Sequence, residues 1–126
     1  MLAKNVKNEI EAEAMMTTHI RDAVAVCKFA AHLEEEILNG SEDWTELSAS
    51  KLLAEYRSQQ KNNVGPSFTT IAAFGANSAV IHYTPTPETD AKINSSSLFL
   101  GMNPFKKLDF IYLVILLPYR NLRNII

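Results

Sequence analysis

The chain holds 126 residues, with twelve Lys and Arg against fourteen Asp and Glu for a formal net charge of −2. That length supports one domain around one modest core, which excludes a multi-domain machine, and the charge balance implies no general affinity for nucleic acid. A composition of 47% apolar and 21% charged residues is that of an ordinary globular chain rather than a disordered one.

The segment 1–14 lacks an apolar stretch of the secretory kind, so no signal peptide is expected. Residues 7–16 read as a short helix with Glu9, Glu11 and Glu13 facing solvent, and 17–38 as a longer amphipathic helix. In the second, Arg21, Lys28, His32, Glu35 and Glu36 fall in one polar sector at about 100° per residue. Ile20, Val24, Val26, Cys27, Ala30, Ala31, Leu33 and Ile37 fill much of the remainder. Asn39-Gly40 tolerates positive φ and stops the helix. Cys27 is the single cysteine; no intramolecular disulfide is possible, a reducing compartment fits, and a small buried hydrophobe is expected there.

A further helix is predicted from 48 to about 60, with Ser48 as N-cap and Leu52, Leu53 and Tyr56 on its apolar face. Gly65-Pro66 then breaks the chain. Short β-type runs follow at 68–74 and 79–83, joined by a turn at 75–78, and 97–100 begins a third strand. Helices first and a sheet after them predict an α+β layer.

The last 26 residues differ in charge. Residues 1–100 carry eight basic and thirteen acidic side chains, whereas the tail has Lys106, Lys107, Arg120 and Arg123 against Asp109 alone. Its apolar run, 110–117, is far shorter than the roughly 20 residues a helix needs to cross a bilayer, so no membrane contact is expected. The run reads as a buried strand or as a sticky segment with no native partner.

Three histidines offer imidazole chemistry. His32 has Glu35 and Glu36 one helical turn on; that spacing suits chelation, but a solvated face with a weak ion pair is the expectation. His19 is expected to be a packed structural histidine, and thirteen residues along one straight helix keep it from sharing a metal with His32. His82 follows Val80-Ile81 and precedes Tyr83-Thr84-Pro85-Thr86-Pro87-Glu88-Thr89, whose prolines stiffen the chain. By its own residues it reads either as a structural histidine or as a functional ring held at a strand end.

Several separated strings match one family in order. They are Lys7-Asn8-Glu9, His19-Ile20-Arg21-Asp22-Ala23-Val24-Ala25, Phe68-Thr69-Thr70-Ile71, and Gly75-Ala76-Asn77-Ser78-Ala79-Val80-Ile81-His82-Tyr83 running into Thr84-Pro85-Thr86-Pro87-Glu88-Thr89. Over about residues 3–100 they resemble the catalytic domain of Xaa-Pro aminopeptidase (aminopeptidase P) of the eukaryotic cytosolic type, in metallopeptidase family M24. The resemblance implies an α+β fold, the N-terminal part of a pita-bread domain with helices wrapped on an antiparallel sheet. It implies two divalent metals, typically Mn2+, activating a bridging water that cleaves an N-terminal Xaa-Pro bond in peptides with proline second. It also implies a cytoplasmic setting and a role for His82 in contacting substrate near the scissile bond.

The same resemblance implies an Asp-Ser-Gly after the strand that begins Leu98-Phe99-Leu100, then a second aspartate, a histidine and two glutamates as metal ligands. Here the chain reads Gly101-Met102-Asn103-Pro104-Phe105-Lys106-Lys107, and Asp109 has other surroundings. The domain reading is therefore 1–100 as the N-terminal portion of the catalytic domain and 101–126 as an unrelated apolar, basic tail, as from an altered frame, a retained intron or an alternative exon. No complete catalytic set and no metal ligand are expected, no Mn2+ is expected to bind, and the chain is expected to be inactive alone. A metal-bound water reaches a pKa near 7 only through its metals, and one histidine cannot replace that nucleophile. Two alternatives stand beside this: a non-catalytic pita-bread binding module, and a partner subunit of a full-length homologue. The tail's apolar run is expected either to cover the sheet or to drive aggregation.

Overall fold

Thirty consecutive residues without Gly or Pro, preceded by Asn8 and carrying Glu11, set up the first element. A computed structural model describes residues 6–66, 69–104 and 111–116, and in it helix α1 runs unbroken over Glu9–Leu38. The Asn8 side chain accepts from the Glu11 amide at 2.9 Å, and the Glu11 carboxylate accepts from the Asn8 amide at 3.1 Å. This reciprocal box satisfies two orphan donors, and Glu9 and Glu11 favour the positive end of the dipole. The two helices expected over 7–16 and 17–38 are thus one, because Thr17 and Thr18 lower helix propensity without breaking a backbone bond. The end lies where Asn39-Gly40 predicts. Gly40 has φ +86°, its amide donates to Ile37 and that of Ser41 donates to Glu36, a Schellman closure that needs the left-handed residue.

Helix α2 covers Glu46–Ser58, and its N-cap is Thr45 rather than Ser48. Ser48 is instead the third helical residue. Its hydroxyl accepts from the Thr45 amide at 2.8 Å while its own amide donates to Thr45 Oγ1 at 3.2 Å. Both residue types suit either place, and the cap falls where Trp44 and Thr45 turn extended against Ala91–Ile93.

Among the described residues three antiparallel strands follow, β1 (Ile71–Phe74), β2 (Phe99–Pro104) and β3 (Ile111–Leu116), in the order β1-β2-β3. Phe74 pairs with Phe99 and Ile71 with Met102; Leu100 pairs with Ile115. The helices-then-antiparallel-strands reading holds, and the apolar run of the tail supplies β3. The expected strand at 79–83 does not form. Gly75–Ala79 is a 3-10 turn, and Val80 and Ile81, at 54% and 85% exposure, carry on into a second turn. Phe68, Lys106, Lys107, Asp109, Phe110, Leu117, Arg120 and Arg123 lie outside the described residues.

The core sits between the helices and one sheet face, where Val26, Phe29 and Leu33 of α1 meet Ala49 and Leu53 of α2, Ala72, Phe99 and Ile93. Ile71, Ala73 and Tyr83 form a smaller cluster with Leu100. Strand alternation sends Ile71 and Ala73 one way and Ala72 the other, so β1 is buried on both faces. Helix α1 packs along Asp22, Ala25, Val26, Phe29 and Leu33, a stripe at three- and four-residue steps. Cys27 lies off that stripe and is exposed, against expectation, as are Ile20 at 67% and Val24 at 44%.

Candidate functional site

The His82 segment hangs from one buried carboxylate. Glu46, fully buried at the start of α2, accepts from the Phe74 amide at 2.5 Å, the Tyr83 hydroxyl at 2.6 Å, Asn77 Nδ2 at 3.1 and 3.2 Å, and the Ala91 amide at 3.2 Å. A carboxylate has about four acceptor sites and no donor, so this set suits it. The Tyr83 hydroxyl in turn accepts from Asn77 Nδ2 at 2.9 Å. Burial, and then the hydrogen bond to Glu46, push the Tyr83 phenol above its ordinary range.

Beyond His82 the chain is tied down again. The Thr86 amide donates to Thr89 Oγ1 at 3.0 Å, and the Thr89 and Asp90 amides donate to the Thr86 carbonyl. Asp90 Oδ1 accepts from the Leu47 amide at 2.9 Å, satisfying another free donor in the first turn of α2. The Thr86 side chain holds the exposed Glu88 carboxyl below its ordinary range. Thr84 and Pro85 line a cavity of about 890 Å³ together with Thr45, Ser48 and Lys51 of the α2 region and Thr70.

His82 itself is exposed, with φ +56°. It does not end a strand, as its β-branched neighbours predict; it occupies a left-handed turn position closed by the Tyr83 amide donating to Val80 at 3.3 Å. A non-glycine residue there is uncommon, and such strain collects at functional segments.

The other two histidines both lie on α1. His32 is half-buried rather than on a solvated face, with Nδ1 3.0 Å from the Tyr56 hydroxyl and its ring edge-on to Trp44 and Tyr56 at centroid distances of 5.8 and 6.2 Å. His19 is half-buried. A buried ion pair joins the helices: Arg57 Nε and Nη2 donate to Asp22 Oδ1 and Oδ2 at 2.6 and 2.9 Å. Sequence reasoning singled out neither this pair nor Glu46. The signal available was a charged residue within an otherwise apolar helical stripe, as Asp22 is among Ala25, Val26 and Phe29.

Among the described residues no group of three or more His, Cys, Asp or Glu could hold a metal, so the described part of this chain does not fit a dinuclear site. No helix of the described residues is long and apolar enough to cross a membrane.

The family model for Metallopeptidase family M24 matches residues 13–103. Xaa-Pro aminopeptidase ApepP of Drosophila melanogaster is 42% identical over 106 residues, which cover 84% of this chain and 17% of that protein. Xaa-Pro aminopeptidase 2 of Sus scrofa is 41% identical over 100 residues, covering 79% and 15% respectively. The chain thus spans well under a fifth of the length of the curated relatives it matches. The crystal structure of X-prolyl aminopeptidase from Caenorhabditis elegans, described as a cytosolic enzyme with a di-nuclear active site, aligns with a TM-score of 0.84 at 29% identity over 93% of this chain and 19% of that one. A helical layer followed by antiparallel strands, a family model spanning most of the chain and relatives of this similarity agree: the chain belongs to metallopeptidase family M24, with Xaa-Pro aminopeptidases as its relatives.

Proposed function

We propose that residues 1–100 are the N-terminal portion of an Xaa-Pro aminopeptidase catalytic domain, that 101–126 is a tail of different origin, and that His82 contacts a peptide with proline in second position near the bond to be cleaved. The family reaction is hydrolysis of the N-terminal Xaa-Pro bond with two divalent ions, manganese by the resemblance, in the cytoplasm. This chain by itself lacks that activity. The observation that carries the reading is the pairing of an ordered, exposed His82 on its clasped loop with a sequence that contains no Asp-Ser-Gly. A general acid or base contributes roughly 10²–10⁴ in rate, and only where a nucleophile already exists.

The test is direct. Purified 126-residue protein with added Mn2+ is incubated with Arg-Pro-Pro, and no free arginine is expected; stoichiometric tight Mn2+ or release of arginine overturns the reading. The partner-subunit reading is favoured by the exposed face of α1, where Met16 and Leu38 are each 62% accessible. It predicts co-purification with a full-length homologue.

A further inference from the structure

Glu46 does more than fill a buried polar site, because of where its donors lie along the chain. Phe74 and Ala91 are the two stems of the segment that carries His82, and Asn77 and Tyr83 lie inside it. One carboxylate therefore ties both ends and two interior points of an eighteen-residue excursion to the first turn of α2. Tyr83 is the residue after His82. With its ring buried and its hydroxyl held at 2.6 Å, and with Asn77 fixed five residues before His82, the chain between them has to reverse in a few residues. The left-handed φ of His82 is where that reversal is completed. Left alone, a histidine leaves that region readily, since contact of its Cβ with the backbone disfavours it; the surrounding bonds must over-determine it.

We propose that Glu46 is a positioning residue for His82: through Tyr83 and Asn77 its buried carboxylate holds the histidine in the left-handed turn that presents its ring to solvent and to a peptide. The proposal rests on the reading of His82 as a substrate contact. It adds that the conformation of this residue is set by a side chain thirty-six positions away that never meets the peptide. Glutamine is the discriminating substitution, since it preserves volume but turns one acceptor into a donor facing donors.

The experiment uses the uniformly 13C,15N-labelled 126-residue chain. The three-bond HN–Hα coupling and the Cα and Cβ shifts of His82 report its φ, with left-handed values expected in the unsubstituted protein. In Glu46→Gln the left-handed fraction is expected to fall by more than about half. Tyr83→Phe, which keeps the ring packed and removes only the hydroxyl, is expected to move His82 in the same direction and decides the matter should Glu46→Gln not fold. Asp22→Asn breaks the other buried bond, and is expected to lower Tm while leaving the His82 coupling unchanged. His82→Gly is expected to raise Tm in the unsubstituted chain and to lose that gain in the Glu46→Gln background. Left-handed values retained in both Glu46→Gln and Tyr83→Phe overturn the proposal. Addition of Arg-Pro-Pro at millimolar concentration separately tests the underlying reading: the His82 ring resonances are expected to shift in the unsubstituted chain and to shift less in Tyr83→Phe. No shift in the unsubstituted chain refutes substrate contact, whatever the couplings report about positioning.

Discussion

Replacing Asp22 with alanine strands the Arg57 guanidinium between the two helices. The pair is bidentate at 2.6 and 2.9 Å, and the side chains of Arg57 and Asp22 are 7% and 0% exposed, so water has little access to compensate. Arg57 Nη1 already has no partner among the described residues. Taking one member from such a buried pair leaves an uncompensated charge and costs about 3–5 kcal/mol, a large share of the roughly 6–19 kcal/mol expected for a chain of this length. With a urea m-value of about 2 kcal/mol/M, the unfolding midpoint followed by circular dichroism should drop by about 1.5–2.5 M at unchanged slope. The double variant Asp22→Leu/Arg57→Leu removes both charges and should be less destabilised than Asp22→Ala alone. A loss below about 1 kcal/mol in Asp22→Ala, or a double variant no better than the single, refutes the view that a desolvated charge pair locks α1 to α2.

Two more outcomes follow from the geometry. Tyr83 titrates above its ordinary value of about 10 because its phenol is buried and bonded to Glu46. Its stabilising contribution is complete below pH 10 and is lost as pH rises through the higher folded value, so the stability difference between the unsubstituted chain and Tyr83→Phe should narrow as pH climbs past 10; a constant difference from pH 8 to 11 argues against it. Cys27 stands exposed on α1, so a thiol reagent should modify it in the native protein at a rate within about tenfold of that in urea, whereas protection of a hundredfold or more would return it to the core.

Local chemistry carried much of the fold into the sequence, and contacts between distant residues carried most of the site out of reach. The stop at Asn39-Gly40 was readable because a helix end is a matter of adjacent residues and one positive φ. The N-cap of α2 was missed by three positions because Thr45 and Ser48 form a reciprocal pair, each chemically fit to cap, and the strand-like path of 44–46 beside 91–93 decides between them. Val80 and Ile81 carry a strand signal that tertiary bonds override: with Asn77 and Tyr83 both held by Glu46, no extended path connects them. The misreading of His32 and Cys27 has one cause. A 30-residue helix packs on a single stripe, and periodicity alone does not say which of two mixed faces meets α2. Glu46 and Asp22 find partners 28–45 and 35 residues away, separations at which no short motif operates.

The proposed separation of peptide contact from metal chemistry has a physical basis. The side-chain bonds that shape the His82 segment are made within residues 46–91, from the Glu46 carboxylate to both stems, the two interior donors and the Thr86–Thr89 closure, while the Gly75 amide donates to the Leu98 carbonyl of the neighbouring strand at 2.9 Å. A loop fixed largely by contacts of that range owes little of its shape to residues beyond the neighbouring strand, since the Phe74, Asn77, Tyr83 and Ala91 donors already have Glu46 as acceptor. Metal chemistry obeys the opposite rule. A dinuclear centre needs several carboxylates and an imidazole converging on about four positive charges, and such sets are assembled from distant parts of a chain. On the proposed reading of His82, a histidine that meets substrate is pre-formed in residues that bring no cluster of metal ligands together among those described, so peptide contact and hydrolysis should separate cleanly in experiment, with the first measurable where the second is not.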